Sequence, residues 1–166
     1  MIHTILYSLN EALFAAIAAV GFALISDPPK RLIIYTAILA AAGRGCRYFL
    51  ITHYGIGIST STLIAAVIIG FLGLYMANKL RCSMEVISFP ALLPMIPGLY
   101  AYETILSIVK YSQASTIIAK QEILINIFDN GITALFIITE LALGVTIPLL
   151  IFYEKSFTMT RKKKEK

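Results

Sequence analysis

Charge is what this sequence is short of: only 14% of its 166 residues are Asp, Glu, Lys or Arg, whereas 58% are hydrophobic. A soluble domain of this length needs more polar surface than those residues can make, so a separate water-soluble catalytic domain is excluded and the chain belongs in a bilayer. Cysteine and histidine are equally scarce. Cys46 falls inside an apolar run and Cys82 in a polar loop, which argues against a disulfide between them. His3 and His53 have no Cys or His neighbour at metal-ligand spacing, so neither a metal nor a cofactor is expected. The patterns His-Glu-x-x-His, Gly-x-Ser-x-Gly and Gly-x-x-x-x-Gly-Lys do not occur, and an enzyme is not expected. The N-terminus lacks a basic region and carries Glu11 in mid-run, so it does not read as a cleavable signal.

What the chain has in plenty is apolar runs of membrane-crossing length. The reading is an all-α polytopic membrane protein of about five transmembrane helices, at about 4–25, 32–52, 61–78, 86–109 and 131–152 in one transmembrane domain. The first run places Ala15, Ala19 and Ala23 at spacing four, with Ala12 and Ala16 beside them. Small residues on one face let helices pack closely inside a bundle. Ala66-x-x-x-Gly70 and Gly73-x-x-x-Ala77 repeat that pattern in the third run. The fourth run contains Pro90, Pro94 and Pro97, followed by Gly98. Three prolines remove three backbone donors, so this span is expected to be broken, and broken backbone survives at membrane depth only where protein or water satisfies it. Asp129-Asn130-Gly131 reads as a loop or helix cap before the fifth run.

The basic residues set an orientation. Lys30, Arg31, Lys79, Arg81, Lys155, Arg161, Lys162, Lys163, Lys164 and Lys166 fall on one side, against Lys110 and Lys120 on the other. Ten against two is a strong positive-inside bias, which requires an odd number of spans with the N-terminus outside. The tail 155–166 is then a cytoplasmic anchor on anionic lipid headgroups rather than a nucleic-acid site.

The motif Pro90-Ala91-x-x-Pro94-Met95-x-Pro97-Gly98-x-x-Ala101-Tyr102 resembles the small subunit of the two-component threonine/serine exporter family. Ala19-Val20-Gly21-Phe22-Ala23, Gly43-Arg44-Gly45-Cys46-Arg47 and Lys110-Tyr111-Ser112-Gln113 extend the resemblance along the chain. It implies a secondary exporter of small polar metabolites in the bacterial inner membrane, either hydroxy amino acids such as threonine and serine or short dicarboxylates such as succinate. It also implies a larger exporter-family membrane subunit as partner. The small-residue faces and internal charges point to association with further copies of the chain as well. The rival reading is a non-conducting subunit that stabilises a membrane partner.

Candidate site residues follow from charge and broken backbone inside the membrane. Arg44 and Arg47 lie at i, i+3 on one helix face and read as a carboxylate-binding pair, with snorkelling to the headgroups as the structural alternative for Arg47. Glu103 reads as a proton carrier, an acceptor for a substrate amine, or a counter-ion to the arginines; Glu140, deeper in its span, suits proton coupling or a partner contact. Pro94, Pro97 and Gly98 mark a discontinuous helix of the kind at which transporters bind substrate. With 1.5 Å of rise per residue, Arg44 and Arg47 fall about 20 to 24 Å into their span, and Glu11, entering from the other side, reaches nearly the same level about 10 Å below the outer surface. Glu103, about 25 Å along the broken span, is expected in that layer too.

Overall fold

The computed structural model describes residues 2–152, with side chains from residue 6 onward. The basic tail and its expected anchoring role lie outside the described residues. Helices α1 (Ile2–Ile25), α2 (Lys30–Tyr54) and α3 (Ile58–Leu80) are followed by a short α4 (Met84–Leu92), a 3-10 turn at Leu93–Met95, α5 (Gly98–Gln113) and a long α6 (Ile117–Ile151). Apolar residues with few helix breakers make each run helical, because in lipid every backbone N–H and C=O must find its partner within the chain. The protein is an all-α polytopic membrane protein. By length and composition α1, α3 and α6 are each able to cross a membrane, and Met84–Met95 with Gly98–Gln113 adds one interrupted span. α2 is as long as its neighbours at 25 residues, but Lys30, Arg31, Arg44 and Arg47 make it the most polar of them.

Each helix stops for a local reason. α1 ends where Asp27 turns to φ 45° ahead of Pro28 and Pro29. α2 ends on Gly55, whose left-handed φ of 64° lets its N–H reach the Ile51 carbonyl while Ile56 N–H reaches Leu50, so two terminal carbonyls are satisfied. At the end of α3 Arg81 takes the left-handed conformation.

The described residues form two compact units, 2–95 with 140–152, and 96–139. In the first, α1 packs most extensively on α2, and Ala15, Ala19 and Ala23 are buried as the small-residue stripe requires. α2 and α3 run antiparallel, with Gly43 against Ile69 and Leu39 against Gly73. Gly73 also accommodates Ser88 of α4. α3 and the last part of α6 run parallel, since Ala66 meets Gly144 and Gly70 meets Pro148 at the same offset. The stripe Ala66-x-x-x-Gly70 is therefore a packing face. The α1–α2 turn, the start of α4 and residues 145–149 of α6 gather at one end around an open, mostly apolar cavity of about 650 Å³.

In the second unit α5 packs on the first part of α6 where Gly131 lies close to Thr104. Asp129-Asn130-Gly131 is not a loop here but lies inside α6. Asn130 turns its amide back onto the Asn126 carbonyl at 3.0 Å, and the helix continues to Ile151. The fifth apolar run, expected from residue 131, thus begins fourteen residues inside a helix that starts at Ile117.

The glycine contacts make a testable distinction. A Cβ on Gly144 would press on Ala66 and lie 3.1 Å from both the Leu63 carbonyl and the Val67 nitrogen, backbone atoms that cannot step aside, whereas one on Gly21 meets nothing within 4 Å. Gly144→Leu is expected to cost at least about 1–3 kcal/mol and to lower the melting temperature of the detergent-solubilised protein in a fluorescence size-exclusion assay. Gly21→Ala should leave that temperature unchanged or slightly raised.

Candidate functional site

The segment Gly43-Arg44-Gly45-Cys46-Arg47 in α2 carries the internal charge of the first unit. Its two glycines clear space on different sides. Gly43 admits Ile69 of α3 and stands 3.4 Å (from its Cβ position) from the Met95 sulfur, while Gly45 lets Ala12 of α1 approach to 3.3 Å. Between and beyond them the two arginines diverge. Arg44 turns to α1, where its Nε and Nη2 each lie 2.9 Å from Oε2 of Glu11. Glu11 and Arg44 were expected at one level from opposite ends of their helices, and they meet there. This is the ion pair among the described residues, and about a third of each side chain remains open, 33% for Arg44 and 37% for Glu11.

Arg47 does something else. It is only 6% exposed, and its Nη1 donates to the Met95 carbonyl at 2.9 Å. Of the two arginines read as a carboxylate-binding pair, Arg44 holds a carboxylate, while Arg47, for which snorkelling was the alternative, is buried and bonded to backbone. The reason lies in α4. Pro90 sits inside that helix and Pro94 in the 3-10 turn, and Pro97 caps α5, so the regular ladder of N–H donors fails along this stretch. After Met95 the chain turns sharply: Gly98 N–H bonds to the Ile96 carbonyl at 2.9 Å about Pro97, whose φ −80° and ψ 62° form an inverse γ-turn. A carbonyl at such a break needs a donor from outside its own helix, and Arg47 is that donor. Sequence reasoning missed this partner; the signal was the break expected at Pro97-Gly98, which takes the N–H groups after Met95 out of line with its carbonyl.

The other candidates sit apart. Pro94 is half-buried, and Gly98 starts α5 with no neighbour within 4 Å of its Cβ position. α5 begins with no side-chain cap, leaving N–H groups at its N-terminus for another acceptor. Glu103 lies in the second unit, exposed on α5, outside the Arg44–Glu11 pair. Glu140 stands at the start of the α6 segment that belongs to the first unit, half-buried, with its Oε2 enclosed and without a hydrogen-bond partner. Ser88 in α4 has a similarly enclosed, unpartnered hydroxyl against Gly73. In the turn between α3 and α4, burial pushes the Cys82 thiol above its ordinary range, outweighing a backbone N–H and the positive charge of Arg31, which pull it down.

The arrangement suits the recognition of a small anionic group. An arginine presents five N–H donors in a planar fork matched to carboxylate geometry, and Arg44 already holds a carboxylate in a partly open position. A sequence model of the family described as "Threonine/Serine exporter, ThrE" matches residues 11–151. A protein of Haemophilus influenzae, described only as an uncharacterized protein, is 36% identical over 147 residues, covering 89% of this chain and 48% of that one. The chain therefore spans about half the length of the curated relative it matches. No solved structure matches it. The family match begins at Glu11 and ends at the last residue of α6, enclosing the ion pair, the broken helix and Glu140: the chain belongs to the threonine/serine exporter family, a family of membrane transporters.

Proposed function

We propose that the chain is a subunit of a secondary exporter for small polar metabolites of the inner membrane, moving threonine- or serine-type amino acids and working with a larger membrane subunit. The observation that carries this reading is the Arg44–Glu11 pair. Arg44 stands fourteen residues into α2, about 21 Å along its axis, in a bundle of apolar helices. A partly open ion pair at that depth is costly against lipid, and such charges usually line a hydrated pathway. A substrate carboxylate takes the place of the Glu11 carboxylate on Arg44, and the released Glu11 then accepts the ammonium of an amino acid. A short dicarboxylate such as succinate would instead turn its second negative charge towards Glu11, so this pair favours the zwitterion. The broken segment at Pro94, Pro97 and Gly98 is of the discontinuous kind at which transporters bind substrate, and is proposed as part of the pathway.

Coupling to protons falls to Glu140 rather than Glu103. Glu140 carries a carboxyl oxygen enclosed inside its span without a hydrogen-bond partner, whereas Glu103 is exposed. The fifth span is supplied by α2, with the N-terminus outside and the turns holding Lys30, Arg31, Lys79 and Arg81 in the cytoplasm. A larger partner is supported by the relative in which the matched region is joined to as much chain again.

The direct test compares metabolites in the medium of cells with and without the chain, alone and with the candidate larger subunit. Extracellular threonine or serine should rise only when both are present; no chain-dependent change in any small polar metabolite would favour a purely stabilising subunit. Arg44→Ala should abolish that export while leaving folded protein in the membrane, because on this reading the open third of Glu11 faces a hydrated pathway that solvates its carboxylate once Arg44 is gone. Glu140→Gln should flatten the pH dependence of export.

The topology has its own measurement. In a Cys46→Ala background, Cys82 should react with an impermeant maleimide in inverted vesicles and not in right-side-out ones. The thiolate is the reactive form, so a thiol pushed upward holds less of it at neutral pH, and the labelling rate should still be climbing at pH 9.

A further inference from the structure

The two arginines of α2 hold partners of different chemistry, and that difference assigns them different work. We infer that Arg47 is the positioning residue of transport: it holds the Met95 carbonyl, thereby fixing the inner end of the broken helix, and leaves contact with the substrate to Arg44. This rests on the exporter reading above.

The argument begins with the broken helix. Pro94 and Pro97 lack the N–H groups that would serve the carbonyls one turn before them, and after Met95 the chain turns about Pro97 so that Gly98 N–H bonds to the Ile96 carbonyl rather than to that of Met95. A charged donor is the strongest available remedy, and Arg47 provides it at 2.9 Å from a position only 6% exposed. The seat is shaped for this segment. Met95 is 1% exposed, and its sulfur rests by Gly43, one helical turn before Arg47 on the same side of α2. The chain then leaves the first compact unit between Met95 and Ile96. The carbonyl that Arg47 holds is thus the last fixed acceptor before the crossing to the second unit.

Substrate chemistry supports the division. A substrate carboxylate competes on equal terms with the Glu11 carboxylate of Arg44, but capturing Arg47 would strand a buried carbonyl without a donor. Movement at the break consequently requires Arg47 to let go, which makes this contact a determinant of turnover rather than of substrate affinity.

The experiment measures uptake of labelled L-threonine and of labelled succinate, over a range of concentrations, into inverted vesicles from cells expressing the chain with the larger subunit. Arg47→Lys keeps one charged donor but loses the planar fork, and should lower Vmax about tenfold with KM within about twofold of the parent. Arg44→Lys should raise KM. A second readout needs no transport: an Ile96→Cys reporter in the Cys46→Ala, Cys82→Ala background should be labelled several times faster by a maleimide when Arg47 is Lys or Met. A raised KM with unchanged Vmax in Arg47→Lys would make Arg47 a substrate ligand and overturn the inference, as would a labelling rate at Ile96→Cys that ignores residue 47. If parent vesicles move neither compound above vesicles lacking the chain, the exporter reading fails for these substrates, and the labelling arm still decides the role of Arg47.

Discussion

A backbone carbonyl inside a membrane must have a donor, and much of the first unit can be understood as the means of supplying one at Met95. Water cannot serve there as it does on the surface of a soluble protein, and each unsatisfied group costs several kcal/mol in hydrocarbon. The turn about Pro97 creates the shortage, because Gly98 N–H bonds to the Ile96 carbonyl and not to that of Met95. Arg47 relieves it, and can do so only because Gly43 lets the 3-10 turn lie directly on α2. A side chain at residue 43 would collide with Ile69 of α3, so the same glycine also keeps α2 and α3 together. Break, donor and packing are therefore a single solution.

Close packing of small residues does for the rest of the unit what a hydrophobic core does in water. Between membrane helices there is little apolar burial to gain, since lipid tails are as apolar as the side chains they replace. Stability comes from surfaces that fit, and here the fit is made at Ala15, Ala19 and Ala23 on α1, at Gly73 against Ser88, and at Ala66 and Gly70 against Gly144 and Pro148. The last set brings α3 and the end of α6 side by side in the same direction. A parallel arrangement is what odd-numbered spans require.

Several of these features were legible in the sequence because they depend on local chemistry. Alanines at spacing four can only make a narrow stripe, and three prolines in eight residues can only break a helix. The level shared by Glu11 and Arg44 followed from rise per residue alone. Other features depended on contacts that spacing does not encode. Arg44 and Arg47 are neighbours on a helical wheel, yet one meets a carboxylate on α1 and the other a carbonyl from the 3-10 turn that follows α4, a divergence set by which elements flank α2. Asp129-Asn130-Gly131 has the composition of a turn, but Asn130 satisfies its amide on the preceding helical turn, and Gly131 faces Thr104, where a small residue permits the close approach of α5. Glu103 was placed with the arginines from its depth alone; depth says nothing about azimuth, and rise per residue does not show that Glu103 is exposed on α5.

The proximity of the two arginines bears on how binding and movement are joined. They are three residues apart on a rigid helix, about 4.5 Å along its axis, so the partner of one is never far from the partner of the other. Glu11 is bound by charge and is partly open, whereas the Met95 carbonyl is a neutral acceptor on a buried residue, bound by a buried guanidinium. On the proposed reading, a substrate that displaces Glu11 alters the charge balance within one helical turn of the guanidinium that holds the break. A cation losing a neighbouring counter-ion is drawn to the incoming carboxylate, and any such pull acts directly on the Met95 contact. A single helix can in this way sense the substrate with Arg44 and restrain the broken backbone with Arg47, without a relay through distant parts of the protein.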